Sequence, residues 1–188
     1  MQHSSTRLNR YRLITQAKLC WLALVLCVGG QKVRADMVSE VDVLAPAKQE
    51  VLLLITGAIK YTNQGDHSAH LDAEHLQHLP QHTIHTSTVA TDGVKRFDGV
   101  LVRHVLDLVG AHGTYLEAQA HNGYTVHIPM DDFFDYEVLM ATHMDGKQLE
   151  LSDKGPLWIV YPRDSHRKLQ DIRYDYRWVW QLKQLTVK

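Results

Sequence analysis

An α+β fold in one compact domain is predicted by three observations in the sequence. Short apolar or β-branched runs closed by glycine read as strands. Between them stand one short capped helical pattern and one longer one. Asx-Gly pairs join neighbouring runs as tight hairpins would, and no internal repeat, low-complexity tract or long linker interrupts the order.

The elements are taken in chain order. Val51-Leu52-Leu53-Leu54-Ile55-Thr56 is a short apolar run that ends at Gly57, the pattern of a buried strand. Asp72 is placed to cap a short helix through Leu76 and Leu79 that stops at Pro80. Thr83 to Val89 is rich in β-branched residues and reads as the next strand. Asp92-Gly93 and Asp98-Gly99 read as turns. Val100 to Val109, with Gly110 just beyond, fits a helix with a C-terminal glycine. Asn122-Gly123 joins Leu116–Ala120 to Tyr124–Ile128, and Asp145-Gly146 turns a second hairpin. The last run sets Trp178, Trp180 and Leu182 on one face against Val179, Gln181 and Lys183, as in a half-buried strand.

The first 35 residues read as a cleaved secretory signal. Arg7, Arg10, Arg12 and Lys18 precede an apolar stretch from Leu19 to Gly30, and Val33-Arg34-Ala35 offers a small-residue cleavage site. The stretch is shorter than the ~20 residues that span a bilayer, so an uncleaved anchor is the lesser alternative. Leu26 stands before Cys27 where a lipoprotein signal needs a small residue. The expected mature chain is residues 36–188, located in the periplasm and not membrane-spanning. Loss of six of the 20 basic residues against 21 acidic ones leaves a net charge of −7, which argues against nucleic acid as a partner. Cys20 and Cys27 leave with the signal, so the mature chain has no disulfide, thiolate nucleophile or thiolate metal site.

Several segments carry a family resemblance. Gly155-Pro156-Leu157-Trp158-Ile159-Val160-Tyr161-Pro162-Arg163-Asp164, followed by Arg177-Trp178-Val179-Trp180, resembles the pterin-cradling end of the sulfite oxidase molybdopterin-binding domain. Val51 to Ile59, Phe97-Asp98-Gly99-Val100-Leu101-Val102-Arg103, Asn122-Gly123-Tyr124 and Met144-Asp145-Gly146 are similar to further pieces of it, in the same order. The resemblance implies a mixed sheet with short helices. Where the enzymes carry a molybdenum-ligating cysteine, this chain has Thr86-Ser87-Thr88-Val89-Ala90-Thr91, and where many carry arginine it has Trp158. Such short cysteine-free members resemble periplasmic pterin-binding regulators of membrane-bound cyclic-di-GMP enzymes. The resemblance implies a pterin as ligand, no molybdenum, no redox catalysis, and the periplasmic domain of a cyclic-di-GMP cyclase or phosphodiesterase as partner.

A pterin is a flat heteroaromatic with a 2-amino group and N3–H as adjacent donors, so it needs rings for stacking and a carboxylate to accept both bonds. Trp158, Tyr161, Trp178 and Trp180 are the candidate rings, and Asp153, Asp164 and Asp135 the candidate acceptors. Arg163 and Arg177 would donate to O4 and the ring nitrogens, and Thr88 and Thr91 would border the ligand. The plainer alternative is that the tryptophans fill the core.

Two other function classes remain. One is a molybdopterin-dependent oxidoreductase in which Thr88, Thr91 or a substrate atom replaces the thiolate. The other is a ligand-free interaction scaffold. His67, His70, His75, His78, His82 and His85 crowd one stretch, but a strand sends His82 and His85 to opposite faces, which weakens a metal reading. The charged and aromatic stretch from Arg163 to Tyr176 is the expected partner face.

Overall fold

In the computed structural model, which describes residues 44–188, the apolar runs and turns become ten strands and three short helices. Along the chain these are β1 (Leu53–Gly57), β2 (Ala69–Leu71), α1 (Ala73–His78), β3 (Gln81–Ser87), β4 (Val94–Leu101), α2 (Val102–Leu108), β5 (Tyr115–Ala120) and β6 (Thr125–Pro129). Then come α3 (Asp132–Asp135), β7 (Leu139–Met144), β8 (Lys147–Gln148) and β9 (Trp158–Val160). Three consecutive 3-10 turns, Arg163–Ser165, Arg167–Gln170 and Ile172–Arg177, lead to β10 (Leu182–Val187). The signal segment, both cysteines and the expected mature start at Asp36 lie outside the described residues.

The strands form two sheets rather than one. The first has the order β2-β1-β10-β5-β6, with β1 parallel to β10 and the other pairs antiparallel. The second has the order β3-β4-β7-β8, and β9 pairs with β7. Gly57 closes β1 at φ +91°, and a Cβ there would lie 2.1 Å from the Val187 carbonyl oxygen, so no side chain fits. Phe97, Leu101, Leu116, Ile128, Leu139 and Trp158 are fully buried in one continuous core. Burial of each such side chain stabilises by about 1.5–3 kcal/mol. Among the described residues no helix is long and apolar enough to cross a membrane.

The short helix ends where the sequence places it. The Asp72 carboxylate accepts from the His75 amide at 3.1 Å, and the chain turns extended at Leu79, before Pro80. Asp72 does more than cap, because its other oxygen accepts from the Lys48 and Gln49 amides at 2.8 and 3.0 Å. That carboxylate thereby ties the segment before β1 to α1.

Three expectations need correction. Asp98-Gly99 is no turn but lies inside β4, at a register shift against β7. A Cβ at Gly99 would sit 2.1 Å from the Met140 carbonyl oxygen, so the glycine serves close strand approach. The helix expected from Val100 begins at Val102, because Val100 and Leu101 are paired with Met140 and Leu139. The alternation of the last run also fails. Trp178 and Val179 are both buried while Trp180 is 40 % exposed, and the strand starts only at Leu182. Gln181 breaks the period at φ +51°, where its amide donates to the Lys154 carbonyl and its side chain to the Leu151 and Asp153 carbonyls.

Candidate functional site

A cavity of about 380 Å³ opens between the β5–β6 hairpin and the last 3-10 turn. The hairpin is set by Asn122, whose Oδ1 accepts from the Tyr124 amide at 2.9 Å. Tyr124 then reaches across, its hydroxyl donating to the Tyr176 carbonyl at 3.3 Å. The two walls are thus tied together. Tyr124, Tyr176, Trp180 and Val89 line the cavity as large, partly exposed apolar side chains, and Trp178 lines it from a buried position. Val89 belongs to the β3–β4 connection, in which Thr88 Oγ1 and Thr91 Oγ1 lie 2.9 Å apart and the Ala90 amide donates to Thr88 Oγ1 at 3.0 Å.

Of the residues predicted from sequence, Trp178 and Trp180 line this cavity, while Thr88 and Thr91 only flank Val89, the one residue of their loop that lines it. The others have different places. Trp158 is wholly buried in β9, edge-to-face with Phe97 at 5.3 Å and with Trp180 at 6.5 Å, so its ring packs the core rather than offering a face to a ligand. Strand pairing between β7 and β9 draws it inward. Tyr161 is equally buried, and its hydroxyl donates to Asp132 Oδ2 at 2.8 Å. Burial, and then the Asp132 charge, push that phenol well above its ordinary value.

The candidate acceptors and donors are largely engaged. Asp164 accepts from the Ser87 amide at 2.6 Å and the Ser87 hydroxyl at 2.7 Å, which anchors the first 3-10 turn to the end of β3. Asp153 is exposed and accepts from Lys154 at 2.6 Å, away from the cavity. Asp135 ends α3 and is exposed. Arg163 lies 3.5 Å from Ser87 Oγ through Nη1 and leaves Nε buried without a partner. Arg177 donates to Asp132 and stacks on Tyr174 and Tyr176, at 4.5 and 5.5 Å from their ring centres. Burial pulls its pKa down, but the Tyr176 hydroxyl and the Asp132 carboxylate outweigh this and hold it above the usual arginine value. Arg177 is therefore a brace behind the cavity wall, between Asp132 and Tyr176.

Sequence reasoning missed Asp175, which lines the cavity three residues before Trp178. Asp175 Oδ1 and Trp178 Nε1 are both sealed from water without a hydrogen-bond partner. An acceptor and a donor left in this state each cost about 1–3 kcal/mol, a penalty that a ligand would relieve. The i, i+3 spacing of Asp175 and Trp178 was present in the sequence, but nothing there marked Ile172–Arg177 as the 3-10 turn that gives the spacing its meaning.

The histidine-rich stretch forms no metal cluster among the described residues. His75 Nδ1 lies 2.6 Å from Asp72 and its Nε2 lies 2.9 Å from the Ala45 carbonyl, while His78 bonds the Glu74 carbonyl. These rings serve the helix and its leader.

A molybdopterin-type cofactor can be tested against this geometry. The aromatic lining and the orphaned acceptor and donor fit a pterin ring. Residues 44–188 contain no cysteine to supply molybdenum with a thiolate, and the loop that carries Val89 to the cavity holds the paired Thr88 and Thr91 hydroxyls. A comparison with curated proteins finds no match. A family model described as the oxidoreductase molybdopterin binding domain matches residues 58–164, more than half of the chain, from the end of β1 through the first 3-10 turn. With that match and the α+β architecture in agreement, the chain belongs to the oxidoreductase molybdopterin binding domain family.

Proposed function

We propose that this protein binds a pterin in the cavity beside the Thr88–Thr91 loop and signals its occupancy to a membrane-bound cyclic-di-GMP enzyme from the periplasm, without redox catalysis of its own. The observation that carries the reading is the union of an aromatic, partly sealed cavity with a loop that has threonines where the resemblance implies the metal-ligating cysteine. A pterin seated there would meet Tyr176, Trp180 and Trp178 through its faces and edge, which is chemistry of recognition rather than of electron transfer.

A protein of this kind acts on the cytoplasm only through a membrane partner, and the ligand controls docking only if bound and free forms differ in affinity for that partner. Tyr176 links the two roles, because it lines the cavity and ends the Arg163–Tyr176 stretch proposed as the partner face. Arg167 and Arg173 are exposed on that stretch and available for contact, although Arg173 holds Asp171 at 2.8 Å.

Family membership favours one second reading, a molybdopterin-dependent oxidoreductase with Thr88 or Thr91 replacing the thiolate. Purified full chain separates the two. Blue pterin fluorescence with substoichiometric molybdenum is expected, and about one molybdenum per chain would establish the enzyme instead. N-terminal sequencing of exported protein should begin near Asp36, and retention of Leu19 to Gly30 in a membrane fraction would sink the soluble periplasmic reading.

A further inference from the structure

We infer that the cavity selects an unphosphorylated pterin, and that Asp175 and Trp178 are the residues that read its edge. The inference rests on the pterin reading above and deepens it. One edge of a pterin presents the 2-amino group, N3–H and O4 in a row, that is donor, donor, acceptor. Asp175 and Trp178 offer the complement, a carboxylate followed by an indole N–H. They are three residues apart at the end of the last 3-10 turn, where the Trp178 amide also closes on the Asp175 carbonyl at 3.4 Å. Both Asp175 Oδ1 and Trp178 Nε1 lack a partner. Tyr176 and Trp180 stand at the same cavity, 47 % and 40 % exposed, and binding requires that these side chains give way so that the ligand edge reaches the two sealed atoms.

The same cavity offers no cation to a phosphate. Its lining contains a carboxylate and no lysine, arginine or histidine. The neighbouring guanidinium of Arg177 is committed to Asp132 and to two tyrosine rings. A phosphate drawn in on a pterin tail would find no cation in the lining to balance its charge.

Titration of the full chain with neopterin, with its terminal phosphate ester and with lumazine tests the inference, read by quenching of tryptophan fluorescence. Neopterin should bind at least about tenfold more tightly than its ester, the factor expected from loss of a favourable charge balance in a partly buried site. Lumazine has an oxygen in place of the 2-amino group and should bind weakly to the unmodified protein. Asp175→Asn presents an amide donor beside an acceptor, so it should weaken neopterin by at least about tenfold while strengthening lumazine. A merely structural role for Asp175 would not reverse that preference. Ester binding as tight as neopterin overturns the exclusion of phosphate, and an unchanged order of neopterin over lumazine in Asp175→Asn overturns the recognition pair; in both cases the pterin reading survives. Failure of neopterin, its ester and lumazine alike to bind the unmodified chain overturns the pterin reading and this inference together. If Asp175→Asn does not fold, the comparison of neopterin with its ester on the unmodified chain still decides.

Discussion

Truncating Trp158 separates a core side chain from a ligand surface. The indole is fully buried, contacts Phe97 and Trp180 edge-to-face, and lies 5.9 Å from the Lys154 ammonium. Removing a buried Trp to alanine costs about 3–5 kcal/mol where the cavity cannot collapse. Strand pairing fixes β9 against β7 through Leu139–Val160, Met140–Ile159 and Ala141–Trp158, so little collapse is available. One term works the other way, because Trp158 Nε1 is a buried donor without a partner and its removal recovers about 1 kcal/mol. Trp158→Ala should therefore destabilise by about 2–4 kcal/mol. For a domain of this size, a loss of about 3 kcal/mol corresponds to a fall in Tm of roughly 6–12 °C. Trp158→Phe, which keeps a ring and removes the orphaned N–H, should cost less than half as much. Urea denaturation of ligand-free protein measures both. A Trp158→Ala midpoint equal to that of the unmodified protein, together with lost pterin affinity, would refute the core assignment.

Four further outcomes are expected. Burial alone would raise the Asp72 pKa, but bonds from His75, Lys48 and Gln49 outweigh it and hold the carboxylate far below its ordinary value; its stabilising effect is complete above pH ~4 and lost as pH falls further. Asp72→Ala should cost about 1–2 kcal/mol at neutral pH and flatten the acid limb of the stability profile, measured by urea midpoints at successive pH values. Asp132→Ala leaves the Tyr161 hydroxyl and the Arg177 guanidinium without their shared acceptor, and should cost about 3 kcal/mol in chemical denaturation. Tyr161→Phe should cost only about 1 kcal/mol by the same assay. Charge reversal at Arg167 and Arg173 should weaken binding to the periplasmic domain of the proposed cyclic-di-GMP enzyme partner without changing pterin affinity, by titration with and without ligand; equal affinity for that domain in both ligand states would mean that the pterin is no signal.

Local rules were enough for the parts of the fold that local chemistry decides. Asp72 before an apolar stretch and Pro80 after it specify a short capped helix whatever surrounds it. Asn122-Gly123 and Asp145-Gly146 specify hairpins because few other residues accept the backbone those turns require. The order of motifs also made the family visible before any coordinate, since it depends on chain position alone. Other features depend on what lies opposite in space. Asp98-Gly99 looks like a turn until the Met140 carbonyl is seen 2.1 Å from where a Cβ would stand. Trp158 and Trp180 carry the same side chain and meet edge-to-face, yet one is sealed and one is half open, because only Trp158 stands in a strand paired with β7. Asp175 was invisible for the same reason. Nothing in its sequence context marks a carboxylate as unpaired; that emerges only when the β5–β6 hairpin and the last 3-10 turn close around it and remove water before any partner has been supplied.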